Sequence, residues 1–276
     1  MEDDGFTLYK PGRAGRRKPA PSPVERRSKA AAQAQFQYRR SAPSGKAAGK
    51  TVTAANLIAE ISFRKKSIQG SKFYAALKEN LQARIDSFRD PPAAAIDVVC
   101  YGVGSMTARS SQHQFSLILL LREDLEFAGS FHIFDPVMSD IDRPVMLHFG
   151  CSIIAENERG ARSVTARTLF YMPHCGHILY DAVLRSNWAS LPTILVVGNS
   201  FAAYDTLLQA RDKRNQAPFL LAAGNMVEEV PFPKGYEVPD VFNNTSLHWF
   251  TQVGGTVQVA EDYGADCPGS PGDEVV

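Results

Sequence analysis

From residue 96 to residue 210, short apolar runs of strand length alternate with longer runs of helical character, and few architectures accommodate that pattern. The strand-like runs are IDVVCY (96–101), SFHIFDP (130–136), CSIIAE (151–156), TLFYMP (168–173) and PTILVVGNS (192–200). Between and after them lie HQFSLILLLRED (113–124), RPVMLHFG (143–150), GHILYDAVLRSNW (176–188) and FAAYDTLLQA (201–210), which read as helices. Parallel strands need crossover connections, and right-handed crossovers place helices on both sides of one sheet. The pattern therefore predicts an α/β domain with a Rossmann-like, mostly parallel sheet and helices on both faces. Beyond residue 211 the signal is weaker. There APFLLAAG reads as a sheet-edge strand and FNNTSLHWF as a packed terminal element.

Two helical stripes precede this domain. Leu57, Ile58, Ile61 and Ile68 mark one, and Phe73, Leu77, Leu81, Ile85 and Phe88 recur at three and four in the other. Ser71 is placed to cap the second, and Pro91-Pro92 ends it. The expected layout is a disordered basic arm (1–53), a helical N-terminal extension (54–92), the α/β domain (93–259) and an acidic flexible tail (260–276).

The chain has 276 residues and a net charge of +1, but residues 1–50 carry 12 Lys/Arg against 4 Asp/Glu, leaving 18 against 25 for the rest. Such an arm suits an importin or nucleic acid, or merely solubilises the chain. GKAAGKT (45–51) imitates a P-loop, but Ser44 stands where its first glycine belongs and no strand precedes it. Four cysteines (Cys100, Cys151, Cys175, Cys267) make no disulfide framework in a chain this long. No signal-peptide core opens the sequence, and its strongest apolar run, 115–121, is too short to span a membrane. A cytoplasmic location without membrane attachment is expected, extended to the nucleus if the basic clusters direct import.

Ligands of open parallel sheets bind beyond the carboxyl ends of the strands. There this chain places Gly102, Gly104 and Ser105 after the first strand, Asp135 after the second, Glu156 and Asn157 after the third, Pro173 and His174 after the fourth, and Asn199 and Ser200 after the fifth. These are the candidate ligand-binding residues. Glycines let backbone approach a ligand, and a carboxylate at the second strand end suits ribose hydroxyls. S-adenosylmethionine-dependent methyltransferases use this arrangement. However, the third glycine of the dinucleotide fingerprint is missing, and tight turns alone explain strand-end glycines. As a loop carboxylate, Asp135 is expected to contribute little to the core. Ser200 either meets a ligand or caps the next helix. Glu156 and Glu158 either work as an acid/base pair or are solvated loop carboxylates.

His174-Cys175-Gly176-His177 admits several readings. Imidazole and thiolate together suit zinc or haem iron, with Cys267-Pro268 as a second haem-type thiolate, but no CxxC or HxxxH partner set appears. Cys175, near a helix N-terminus, also has the setting of an activated thiol, though no orienting carboxylate is evident. The plainest reading is a strand-to-helix turn shaped by Pro173. No catalytic constellation emerges.

CYGVGS, FDPV, ENERG, TLFYMPHC and VVGNSF, in this order and spacing, resemble the SRR1 family, named for the plant "sensitivity to red light reduced" protein and including animal SRR1-like proteins. FNNTSLHWF and the opening DGFTL extend the likeness. The resemblance implies a regulatory protein linked to circadian rhythm and, in plants, to phytochrome signalling. It brings no catalytic residue with it. Three functions stay open: a regulatory protein with protein partners and a small-molecule ligand, a methyltransferase-like enzyme using S-adenosylmethionine, and a haem-responsive regulator.

Overall fold

The computed structural model describes residues 52–89, 91, 94–208, 211–259 and 263; the basic arm with its importin or nucleic-acid reading, and nearly all of the acidic tail, lie outside them. Two helices open the described chain, α1 (Ala54–Gln69) and α2 (Lys72–Phe88). Thr53 Oγ1 accepts from Asn56 N at 3.2 Å and Ser71 Oγ from Tyr74 N at 3.1 Å, so a side chain caps each N-terminus. The sheet strands are β1 (Asp97–Tyr101), β2 (Phe131–Phe134), β3 (Ser152–Ile153), β4 (Thr168–Met172), β5 (Ile194–Asn199), β6 (Val227–Pro231) and β7 (Thr245–Phe250). Helices α3 (Arg109–Asp124), α4 (Asp142–His148), α5 (His177–Ser186), α6 (Phe201–Leu207), α7 (Arg211–Gln216) and α8 (Pro218–Ala223) connect them, with a 3₁₀ segment at Trp188–Thr193.

The strand order is β3-β2-β1-β4-β5-β7-β6. Strands β1 to β5 pair with one another in parallel, while β7 runs antiparallel to both β5 and β6. The sheet is therefore mixed, not simply parallel. FNNTSLHWF supplies β7, an interior strand, because an antiparallel partner can enter from the β6 side by a loop with no crossover helix. APFLLAAG forms α8 instead of an edge strand. Pro218 suits a first helical turn, and Asp181 Oδ1 accepts from Phe219 N (2.7 Å) and Leu220 N (2.9 Å), so a carboxylate from α5 caps it. The connection from β3 to β4, 154–167, carries no helix.

Strand residues alternate between two apolar layers even though both faces are covered. Val98, Cys100, Ile133, Leu169, Tyr171, Leu195 and Val197 pack with α1 to α4. Val99, Tyr101, Phe170, Met172, Ile194 and Val196 pack with α5, α6 and α8. Leu57, Ile61, Ile68, Phe73, Leu77 and Leu81 belong to the first layer, so the helical extension shares the core of the sheet. Each fully buried side chain of this size contributes about 1.5–3 kcal/mol of transfer free energy. Among the described residues no helix is long and apolar enough to cross a membrane.

Candidate functional site

β1 and β4 are neighbours with β2 on one side and β5 on the other, so the strand order reverses between them and their loops leave the same edge. The chain turns after β1 through Gly102 (φ 70°) and Gly104 (φ 85°), a left-handed conformation that suits glycine. Gly102 N donates to Phe134 O at 3.2 Å. Asp135 reaches across from β2: Oδ2 accepts from Gly104 N at 2.6 Å and Oδ1 from Val137 N at 2.8 Å. Burial raises its carboxyl above the usual range, with those two backbone donors pulling the other way. Asp135 is 8% exposed, so it braces two loops and is no solvated loop carboxylate.

A second carboxylate holds the same turn and has no place among the residues singled out from sequence. Asp142 is fully buried; Oδ1 accepts from Met106 N (2.8 Å) and Ser105 Oγ (3.2 Å), and Oδ2 from Ser139 N (2.9 Å) and Ser139 Oγ (2.8 Å). The signal for it was present. Ser139-x-x-Asp142 before an apolar run has the form of a capping box.

The β4 and β5 loops interlock through Asn199, which is 4% exposed. Its Oδ1 accepts from His174 N (3.0 Å), and its Nδ2 donates to Cys175 O (3.1 Å) and Tyr204 Oη (3.0 Å). Its backbone N donates to Tyr180 Oη (2.9 Å), and that hydroxyl in turn donates to Met172 O. Pro173 is buried. His174 has a left-handed backbone (φ 59°), and its Nε2 lies 2.8 Å from Val241 O in the β6–β7 connection. Cys175 is buried with Sγ 3.5 Å from Tyr101 O, and burial raises its thiol far above the ordinary range.

The structure thus brings Gly102, Gly104, Ser105, Asp135, Pro173, His174, Cys175 and Asn199 into one braced cluster, while Glu156 and Asn157 lie in the loop after β3. Both are exposed, and Asn157 Oδ1 accepts from Arg159 N at 3.0 Å. Glu158, by contrast, is bound. Tyr101 Oη donates to its Oε2 (2.5 Å), and Arg162 grips both oxygens at 2.8 and 2.5 Å. Burial works upward on this carboxyl, but the Arg162 and Tyr101 hydrogen bonds outweigh it and hold it low. Ser200 makes no side-chain cap bond to α6; its hydroxyl helps hold Glu229. Beside it His248 Nδ1 lies 3.0 Å from Val196 O, while Nε2 accepts from Phe201 N (3.3 Å) and stands 3.5 Å from Glu229 Oε2. Burial pushes the Glu229 carboxyl up, but His248, Ser246 and Ser200 prevail and bring it down to about 2.

The three side chains of the His-Cys-Gly-His turn have separate partners, since His177 Nε2 faces Gln216 Oε1 at 3.4 Å. Among the described residues no group of three or more His, Cys, Asp or Glu is placed to hold a metal ion. Cys267 lies outside the described residues.

A model of the SRR1 domain matches residues 77–249. An SRR1-like protein of Mus musculus is 34% identical over 140 residues, which is 49% of this chain and 56% of the relative. Protein SENSITIVITY TO RED LIGHT REDUCED 1 of Arabidopsis thaliana is 34% identical over 154 residues, 53% of this chain and 55% of the relative. An SRR1-like protein of Drosophila melanogaster is 29% identical over 185 residues, 66% of this chain and 64% of the relative. The chain therefore spans between 55% and 64% of the length of these curated relatives. No solved structure matches. With the SRR1 domain covering more than half of its length, from α2 to β7, this chain belongs to the SRR1 family.

Proposed function

We propose that this chain is a regulatory protein of clock-related gene expression, working in the cytoplasm and nucleus through protein partners and a small-molecule ligand at the strand ends. The name of the Arabidopsis relative, which refers to sensitivity to red light, supports the regulatory part. The observation that carries the reading is the bracing of the strand ends. Asp135, Asp142 and Asn199 are buried and bound to neighbouring loops, and burial keeps Cys175 a thiol, not a thiolate. Such an edge transmits occupancy between loops more readily than it performs nucleophilic chemistry. The basic arm would serve an importin or nucleic acid. The test is replacement of the endogenous protein in rhythmic cells by wild type or Asn199→Ala at matched abundance. A changed period with the variant supports the reading, and an unaltered rhythm after complete loss of the protein removes it.

Methyl transfer from S-adenosylmethionine is the second reading, favoured by the sheet order. A reversed seventh strand inserted between the fifth and sixth is the arrangement of many S-adenosylmethionine-dependent methyltransferases, and the glycine turn and Asp135 occupy the matching strand ends. Incubation of the purified chain with labelled S-adenosylmethionine and cell extract decides it: no transfer above that of an Asp135→Ala control ends this reading.

A further inference from the structure

The strand-end edge has a chemical bias, which deepens the proposed small-molecule role and rests on it. In nucleotide-binding parallel sheets, the glycine turn after the first strand and the next helix N-terminus offer N–H groups to a phosphate. Here Gly104 N donates to Asp135 Oδ2 at 2.6 Å and Met106 N to Asp142 Oδ1 at 2.8 Å. Two buried carboxylates therefore stand where a phosphate would be held. Helix α3 begins just beyond, and Gln112 in its first turn folds its amide back onto the same loop. Gln112 is 2% exposed; its Nε2 donates to Met106 O (2.7 Å) and Glu60 Oε2 (3.0 Å), and its Oε1 is buried with no hydrogen-bond partner. An unpartnered buried acceptor is unfavourable until a donor reaches it.

The loop and the helix start beside it thus present acceptors: the remaining lone pairs of Asp135 and Asp142 and the orphan Gln112 oxygen. The nearest cations do not reverse this balance. Arg64 Nη1 donates to Glu60 O at 3.3 Å and stands 3.8 Å from Glu60 Oε2, so its charge is spent on that carboxylate, and Arg109 is exposed at the start of α3. A phosphate would bring its charge against two desolvated carboxylates, where repulsion is least screened. Hydroxyl and N–H donors would be welcomed. We infer that the strand-end site takes a phosphate-free nucleoside, its ribose hydroxyls donating to Asp135 and a further donor meeting Gln112 Oε1, and that it rejects nucleotides carrying a 5′-phosphate.

The experiment is a thermal-shift series on the full chain, paired with amide hydrogen exchange. Adenosine, 5′-methylthioadenosine, S-adenosylhomocysteine and S-adenosylmethionine form one arm; AMP, ATP and NAD form the other. The first arm should raise the melting temperature by roughly 5 °C or more at a hundredfold excess over the dissociation constant and slow exchange over residues 102–106. The second arm should do neither. Gln112→Leu, which keeps the bulk and removes the orphan acceptor, should weaken the first arm. Equal stabilisation by ATP or NAD overturns the inference while leaving a ligand edge in place. If no nucleoside binds but another small molecule protects 102–106, the inference again falls alone. If a metabolite collection protects nothing there, the ligand edge falls with it.

Discussion

Gly102 stands against Cys175 so closely that a Cβ added to the glycine would lie 2.5 Å from the thiol sulfur. The turn after β1 and the turn after β4 thereby interlock across the point where the strand order reverses. Gly102→Ala should destabilise the chain for two separable reasons, a steric one and the strain of a side chain at φ 70°. Together they should amount to about 2–4 kcal/mol. Cys175→Ala alone should cost about 1 kcal/mol, and the double variant should recover the steric part only. Urea unfolding of the four proteins measures the coupling. Simple additivity would show that the two turns do not meet in solution.

Asp142 should matter more to folding than any other carboxylate at the strand ends. Its removal leaves Met106 N and Ser139 N without their acceptors in a buried setting. Asp142→Ala is expected to lose about 3 kcal/mol or more, and Glu156→Ala, exposed on the neighbouring loop, less than about 0.5 kcal/mol. Asp135→Ala should fall between them. A ranking of melting temperatures with Glu156 as costly as Asp142 would contradict this network.

The legible and illegible parts of this chain divide along physical lines. Strand-to-helix alternation and the α2 stripe are readable because burial on one face or two leaves a period in the sequence. The identity of β7 is not, because TSLHWF pairs with β5 and β6 through backbone groups that no local pattern announces. APFLLAAG misleads because its helical start depends on Asp181, thirty-odd residues earlier, capping Phe219 and Leu220. At the strand ends, the residue types are visible but their partners are not. Asp135 looks like an acceptor for a ligand and Asn199 like a ligand contact in sequence, and only the fold reveals that backbone N–H groups of neighbouring loops also engage them. Asp142 is within reach through its Ser139-x-x-Asp142 spacing.

Acid should loosen the protein in two successive windows. Burial, aided by Arg64 and Arg109, lowers His113 from 6.5 to about 4. A base whose folded pKa is depressed resists protonation only when folded, so the unfolded chain takes up the extra proton. Stability is then complete above about pH 6.5 and declines as pH falls to about 4, by on the order of 3 kcal/mol. Glu229, brought from 4.5 to about 2, acts in the next window: its contribution is present above 4.5 and is lost as pH falls through 2. His113→Gln cannot titrate and retains a polar atom near Tyr236 Oη, which lies 2.6 Å from His113 Nδ1. Denaturant unfolding between pH 7 and 4 should slope in wild type and flatten in this variant. A slope unchanged by the substitution would assign the upper window to another group.

His174 combines a strained backbone with a long-range tether, and its variants should separate the two. The residue adopts φ 59°, while its Nε2 lies 2.8 Å from Val241 O, fastening the β6–β7 connection over the strand ends. That connection is held elsewhere too, by Gln114 Nε2 on Val241 O (3.3 Å) and by Phe242 and Tyr236 against Phe73, with ring centroids 5.6 and 4.8 Å apart. Loss of the imidazole should therefore loosen the segment around Val241 without unfolding the domain. His174→Gly removes the tether but relieves the left-handed strain, so global stability should change by less than about 1 kcal/mol. His174→Ala removes the tether and keeps the strain, and should be the less stable by about 1 kcal/mol. Both should accelerate amide exchange at residues 240–244 to the same extent, since both lack the imidazole. If Gly and Ala differ in that exchange as much as in stability, the loosening originates in the backbone of residue 174 and not in its hold on Val241.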